Sequence, residues 1–293
     1  MIVEREHMSF MIRLENHCPT LTKVYNGPKS FPGSVKRMKL IDAHLHLDKY
    51  KNKEVDSILT GSDWLEAVVA VSFDLKSCKR NLQLSSKYQK VKPAFGFHPE
   101  QGLPSEVDFS SLIDWMTLHR AEMIAVGEVG LPYYLRQEQR VSRAQYGQYI
   151  ELLETFMKLA KEWNKPIVLH AVYDDAPIVC DLLEKHSVEK AHFHWFKGDD
   201  KTIARMIENG YFISVTPEIV YKEKIQKIAQ IYPLAQMMVE TDGPWPFEGP
   251  FSGKITQPAM IKESISMLAK IKKLTETEAS ERVLENTKEF YSI

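Results

Sequence analysis

Cysteine is scarce in this chain. Its 293 residues hold three, Cys18, Cys78 and Cys180. They are far apart, odd in number and not in a CxxC pair. That argues against a disulfide-stapled scaffold and a thiolate zinc site, and for a reducing compartment. Long apolar runs are missing too. None approaches the roughly 20 residues of a membrane-spanning helix, so no membrane partner is expected. The N-terminus lacks the apolar stretch of a secretory signal, which makes a cytoplasmic protein the expectation. Net charge is almost absent, with 38 Lys and Arg against 39 Asp and Glu. No global basic field attracts a polyanion. The phosphates of a nucleic-acid ligand would have to be met by a local patch or by metal ions.

What is present is ordinary for a globular chain. Hydrophobic residues make up 44% and charged residues 26%, a balance that suits one large domain or two modest ones. Residues 1–37 stand apart. Pro19, Pro28, Pro32, Gly27 and Gly33 interrupt a segment with few periodic apolar positions, which reads as an irregular N-terminal extension. From residue 38, short apolar runs alternate with helical patterns. The runs fall at 40–46, 67–73, 92–98, 123–131, 166–172, 191–196, 211–216 and 236–241. Apolar stripes of helical period cover 146–163, 176–185, 200–209 (stopped by Gly210), 218–231, 257–272 and 276–291. Strand then helix, repeated over about 250 residues, predicts an α/β fold, a (β/α)8 TIM barrel spanning 38–293. A doubly wound sheet would carry a glycine-rich turn after its first strand. Here that strand ends in histidines.

In such a barrel the C-terminal strand ends meet at one mouth, where the active site sits. Strand one brings His44 and His46, two apart and therefore on one face. Strand three ends in His98, strand four in Glu128, strand five in His170. Strand six carries His192 and His194, and strand eight ends in Asp242. Of ten histidines, these six sit at strand ends, too many to be independent accidents. Two divalent ions account for them. His44, His46 and Asp242 would hold one, and His170 with a strand-six histidine a second. Glu128 is the candidate bridge. A water between the ions would become a nucleophile near neutral pH, with Asp242 orienting it and taking its proton.

The motifs as a set resemble the TatD family of metal-dependent hydrolases and deoxyribonucleases. The pieces are IDAHLHLD at 41–48, GFHPE at 96–100, GEVGL at 127–131, KPIVLHA at 165–171, HWFKG at 194–198 and ETDGP at 240–244, with ENTKEFY at 285–291 like the family's closing helix. The resemblance runs from about Met38 to the C-terminus. It implies metal ligands at His44, His46, Glu128, His170, His194 and Asp242, choosing His194 where spacing alone left His192 open. It implies two divalent ions, zinc, manganese, nickel or magnesium. It places His98 in the site facing the substrate phosphate, and makes Asp242, Glu128 and His98 the catalytic group. The activity implied is hydrolysis of ester bonds in DNA, most simply from a 3′ end.

Two departures bear on substrate. Pro132 stands where the family usually has aspartate after GEVGL, and Ala171-Val172 follow His170 where it commonly has an arginine. Arg136, Arg140 and Arg143 could replace that charge or form a solvated helix face. Trp195, with Tyr133, Tyr134, Trp245 and Phe247, could stack on bases or pack as loop core. Other readings compete with the nuclease. One keeps the metals but cleaves an amide, ester or lactone, as in related barrels. Many of those bridge their metals with a carboxylated lysine at strand four, and Glu128 here favours the TatD type. Another makes the chain a subunit of a larger assembly, with residues 1–37 docking a protein partner.

Overall fold

The computed structural model describes residues 38–293. The extension expected over 1–37, and Cys18 with it, lies outside the described residues. Eight strands form one parallel sheet in sequential order. They are β1 (Leu40–Leu45), β2 (Leu65–Ala70), β3 (Val91–Phe95), β4 (Ala125–Gly130), β5 (Ile167–His170), β6 (Ala191–Phe193), β7 (Phe212–Val215) and β8 (Met237–Val239). Helices α1 (Asn52–Thr60), α2 (Leu75–Lys87) and α3 (Glu106–Leu118) follow the first three strands. A short α4 (Tyr133–Gln137) and long α5 (Arg143–Glu162) follow β4. Then come α6 (Asp175–Lys185), α7 (Asp200–Glu208) and α8 (Glu223–Ile231), and α9 (Ile261–Lys272) and α10 (Glu276–Tyr291) close the chain. No helix among the described residues is long and apolar enough to cross a membrane.

Local chemistry sets these boundaries. Asp74, Ser105, Ser142, Asp199 and Thr275 cap α2, α3, α5, α7 and α10 by accepting a backbone N–H from the first turn. The stretch 218–231, expected as one helix, divides. Pro217 starts a 3₁₀ turn, Pro217–Val220, and Lys222 is extended before α8 begins. The stretch 257–272 likewise opens with a 3₁₀ turn, Pro258–Met260. The strands are shorter than the apolar runs, because the last residues of each run leave the sheet to build the mouth.

The sheet comes close to closing on itself as a barrel. Asp242 N–H donates to the His44 carbonyl, and His46 N–H to that of Gly243, each at 2.9 Å. Buried Asp42 reinforces the seam by accepting Thr241 N–H at 3.0 Å and Thr241 Oγ1–H at 2.5 Å. Burial pushes its carboxyl up to about 7 against those donors. The main core lies between sheet and helices and includes Phe95, Met116, Leu153 and Phe156. A smaller cluster fills the lumen. There Phe290 and Tyr291 of α10 pack among Ala43, Ala67, Ala94 and Ala125. Small strand residues leave the room that these two aromatics occupy.

Candidate metal centre

Glu128 on β4 is fully buried and faces five histidines. Its Oε2 lies 3.1 Å from His44 Nε2 and 3.3 Å from His46 Nε2. Its Oε1 lies 2.7 Å from His194 Nε2, 3.0 Å from His170 Nδ1 and 3.3 Å from His98 Nε2. One carboxylate thus divides its oxygens between two groups of imidazoles. Asp242, just past β8, sets Oδ1 3.4 Å from both His44 Nε2 and His46 Nε2.

The barrel holds these groups by backbone means. The pairing of β1 with β2 shifts register between Asp42 and Leu45. Such an irregularity re-aims side chains, and His44 and His46 lie within or just past it. Asp242 and Trp195, the residue after His194, adopt left-handed φ of 49° and 38°. Such backbone costs energy and persists only where surroundings enforce it. Two glycines permit close approach. A Cβ on Gly130 would lie 2.0 Å from the His170 carbonyl oxygen, and one on Gly243 2.0 Å from the Tyr50 hydroxyl.

Burial disfavours charge throughout the cluster, and opposite charges reverse that at chosen points. The Glu128 carboxyl is buried, yet His194, His98 and His44 hold it well below the ordinary range. His46 is raised to about 9 against its burial by Asp242 and Glu128. His44 is lowered, by burial and by neighbouring His194. His98 is pushed down to about 4, chiefly by burial, and is neutral at pH 7. Its Nδ1 accepts Glu100 N–H at 3.1 Å. The remaining proton therefore sits on Nε2, which points at Glu128 as a donor.

The donor set fits divalent cations. Within each of two trios, His44, His46, Glu128 and His98, Glu128, His170, ligand-type atoms lie within 4.8 Å of one another. His46 Nε2 and Asp242 Oδ1 are buried and make no hydrogen bond, which leaves both with lone pairs to offer a cation. All donors are nitrogen or oxygen, the chemistry of zinc, nickel, manganese or magnesium.

Above the cluster opens a cavity of about 290 Å³. His98, Asp242 and His194 line it beside Tyr134, Trp195 and Trp245. Tyr134 and Trp245 are exposed at the rim. Trp195 is tethered. Its indole N–H donates to Glu218 at 2.6 Å, and Lys197 Nζ sits 4.3 Å over its ring. Val172, where the TatD resemblance leads one to look for arginine, contributes an apolar wall. Phe247 is buried, as a core residue would be. Arg136 donates to Asp175 at 2.7 Å and lies 4.9 Å from the Tyr146 ring, so it braces the wall rather than a solvated face. Arg140 is exposed and pairs with Glu138, and Arg143 is exposed at the start of α5.

The eight residues singled out from sequence, His44, His46, His98, Glu128, His170, His194, Trp195 and Asp242, all converge on this mouth. His192 does not reach it. It lies one layer deeper in the barrel, bonded to Tyr291 and Ser214. Two carboxylates beside the centre went unassigned in the sequence reading. Glu100 lies 3.3 Å from His170 Nε2 and accepts the N–H groups of Tyr134 and Leu135, each at 2.8 Å. Glu240 accepts Trp195 N–H at 2.7 Å and lies 3.6 Å from His194 Nδ1. Both stand two residues from a site residue, in GFHPE and ETDGP. That proximity was the available signal.

Known proteins are similar to this chain in sequence and in fold. The family described as "TatD related DNase" matches residues 41–292. An uncharacterized metal-dependent hydrolase of Haemophilus influenzae is 39% identical over 255 residues, 87% of this chain and 100% of the relative. A human protein named deoxyribonuclease TATDN3 is 29% identical over 262 residues, 84% of this chain and 92% of its own. The crystal structure of the TatD homolog YjjV from Escherichia coli K12 is similar in fold, with a TM-score of 0.77 at 24% identity over 87% of this chain and 98% of its own. A match spanning nearly every described residue, on a barrel whose mouth gathers buried histidines and carboxylates, settles the relationship: the chain belongs to the TatD family of metal-dependent hydrolases.

Proposed function

We propose that the chain is a deoxyribonuclease of the 3′–5′ exonuclease type, working with two divalent ions. The observation that carries the reading is the division of Glu128 between two sets of imidazoles. His44, His46 and Asp242 would hold one ion and His170 and His194 the other, with Glu128 as the residue that would serve both. Bound there, the ions would acidify a water and neutralise charge on the phosphoryl group.

The protein's own groups do the rest. The Asp242 carboxylate, buried at the mouth of the barrel, would turn its second oxygen to the water and take the water's proton. With Glu128 taken up by the ions, the Nε2–H that neutral His98 directs at it would turn to a phosphoryl oxygen. Water oxygen joins phosphorus, the bond from phosphorus to the 3′ oxygen breaks, and that oxygen gains a proton. The products are a nucleoside 5′-monophosphate and a strand shorter by one. Tyr134, Trp195 and Trp245 line a cavity sized for one terminal nucleotide rather than a duplex. The human relative's name supports DNA as substrate.

A second reading, hydrolysis of a small ester, amide or lactone, has Val172 in its favour. That wall offers no cation to a backbone phosphate. Lys197, over the Trp195 ring, is engaged with Glu218 at 3.3 Å.

End-labelled single-stranded DNA distinguishes the two. Metal-stripped protein receives Mg, Mn, Zn or Ni, with Asp242→Asn as control. Stepwise shortening from the 3′ end that needs metal and disappears in the variant is expected. Intact DNA under every ion, with two equivalents of metal bound, would discard DNA and move the search to small esters and amides.

A further inference from the structure

A buried polar chain runs from the mouth of the barrel to the C-terminal helix, and the chemistry above leaves it unused. Its first member is Glu240, fully buried beneath the histidines. One ring nitrogen each of His44 and His194 and one Glu240 oxygen lie within 4.8 Å of one another. The Nδ1 atoms of His44 and His194 are buried and make no hydrogen bond. The two rings stack at 3.9 Å, so both present edges to the same region. Any imidazole that binds a metal through Nε2 carries its proton on Nδ1 and needs an acceptor there. Glu240 is the carboxylate in place to be that acceptor.

Glu240 is itself held from below. Ser214 Oγ–H donates to its Oε2 at 2.5 Å. That spends the serine's one proton. His192 Nε2, 2.6 Å from Ser214 Oγ, must then be the donor in that contact. Neutral His192 therefore accepts at Nδ1, where the Tyr291 hydroxyl lies at 2.6 Å. Each proton in the chain points toward Glu240. All four residues are buried, at 0% exposure for Glu240 and His192, 1% for Ser214 and 3% for Tyr291. A lumen of apolar residues would close the barrel at lower desolvation cost, so the polar chain calls for a role.

We propose that Glu240 is the shared positioning carboxylate of the centre, aiming His44 and His194, one on each ion, and that Ser214, His192 and Tyr291 fix its orientation from α10. This rests on the two-ion reading above. His192 is then a positioning residue, which explains a strand-six histidine that ligates nothing at the mouth.

The test is titration of the metal-stripped full chain with Zn or Mn, alongside the melting temperature of the metal-free protein. Wild type should bind two equivalents; failure there would sink the two-ion reading itself. Glu240→Gln should weaken both ions by about 10–100-fold. Tyr291→Phe, which deletes one hydroxyl at the fourth and last member of the polar chain, should weaken both by several-fold. Ser214→Ala should resemble Tyr291→Phe, and Ser214→Thr, which keeps the hydroxyl, should restore wild-type affinity. If wild type binds two ions and these variants bind them equally well, whatever their melting temperatures, the chain is merely structural and the proposal is wrong. A loss confined to one ion would also refute it, since Glu240 could not then serve both histidines.

Discussion

Glu100→Gln separates the two halves of the centre. Glu100 touches the His170 side only. Its Oε1 lies 3.3 Å from His170 Nε2, while the two oxygens also accept Tyr134 and Leu135 N–H. His170 presents Nδ1 to Glu128, so a metal on Nδ1 requires a proton on Nε2 directed at Glu100. Glutamine keeps one oxygen and replaces the other with an NH₂ that faces donors. Either His170 loses its acceptor or the start of α4 loses one. Outer carboxylates on metal-bound histidines contribute about 10–100-fold in affinity, or roughly 1.4–2.7 kcal/mol. Calorimetric titration of the stripped variant should show one ion weakened by that factor and the ion on His44 and His46 unchanged. Because α4 carries Tyr134 over the cavity, KM should rise as well. Equal weakening of both ions, or of neither, would refute the assignment of His170 to a separate ion.

Further outcomes follow from the same geometry. Glu128→Gln removes the negative charge placed between the two imidazole sets; breaking a buried charge pair costs about 3–5 kcal/mol, so stoichiometry by elemental analysis should fall from two ions toward one or none. Metal affinity should rise with pH. Metal-free His46, raised to about 9, carries a proton below that pH which an entering ion must displace, so the apparent constant should climb by about tenfold per unit, roughly 100-fold from pH 6 to 8, and a flat titration series would contradict this. Gly243→Ala drives a methyl into the Tyr50 hydroxyl, which donates to the Thr256 carbonyl at 2.7 Å; overpacking of that kind costs about 1–3 kcal/mol, visible as a lower melting temperature of the metal-free protein.

The fold was readable because each strand announces itself as an apolar run and each helix as a stripe. The convergence of His44, Glu128, His170 and Asp242 then followed from barrel topology alone. What spacing could not supply was depth along one face. His192 and His194 both turn inward, and only the layer they occupy decides that His194 meets Glu128 while His192 meets Tyr291. The same limit hid Glu240 and Glu100. Each acts through a histidine 46 or 70 residues away in sequence, a relation that no local pattern encodes. The break in 218–231 was hidden for the opposite reason. The apolar stripe continues through it, while Pro217 and the extended Lys222 interrupt the backbone.

Anomalous diffraction from crystals of the manganese- or zinc-loaded protein tests the central claim most directly. Two peaks are expected, one against His44, His46 and Asp242 and the other against His170 and His194, with Glu128 between them. A single peak, or ions found only elsewhere on the protein, would contradict the two-ion centre and the chemistry built on it.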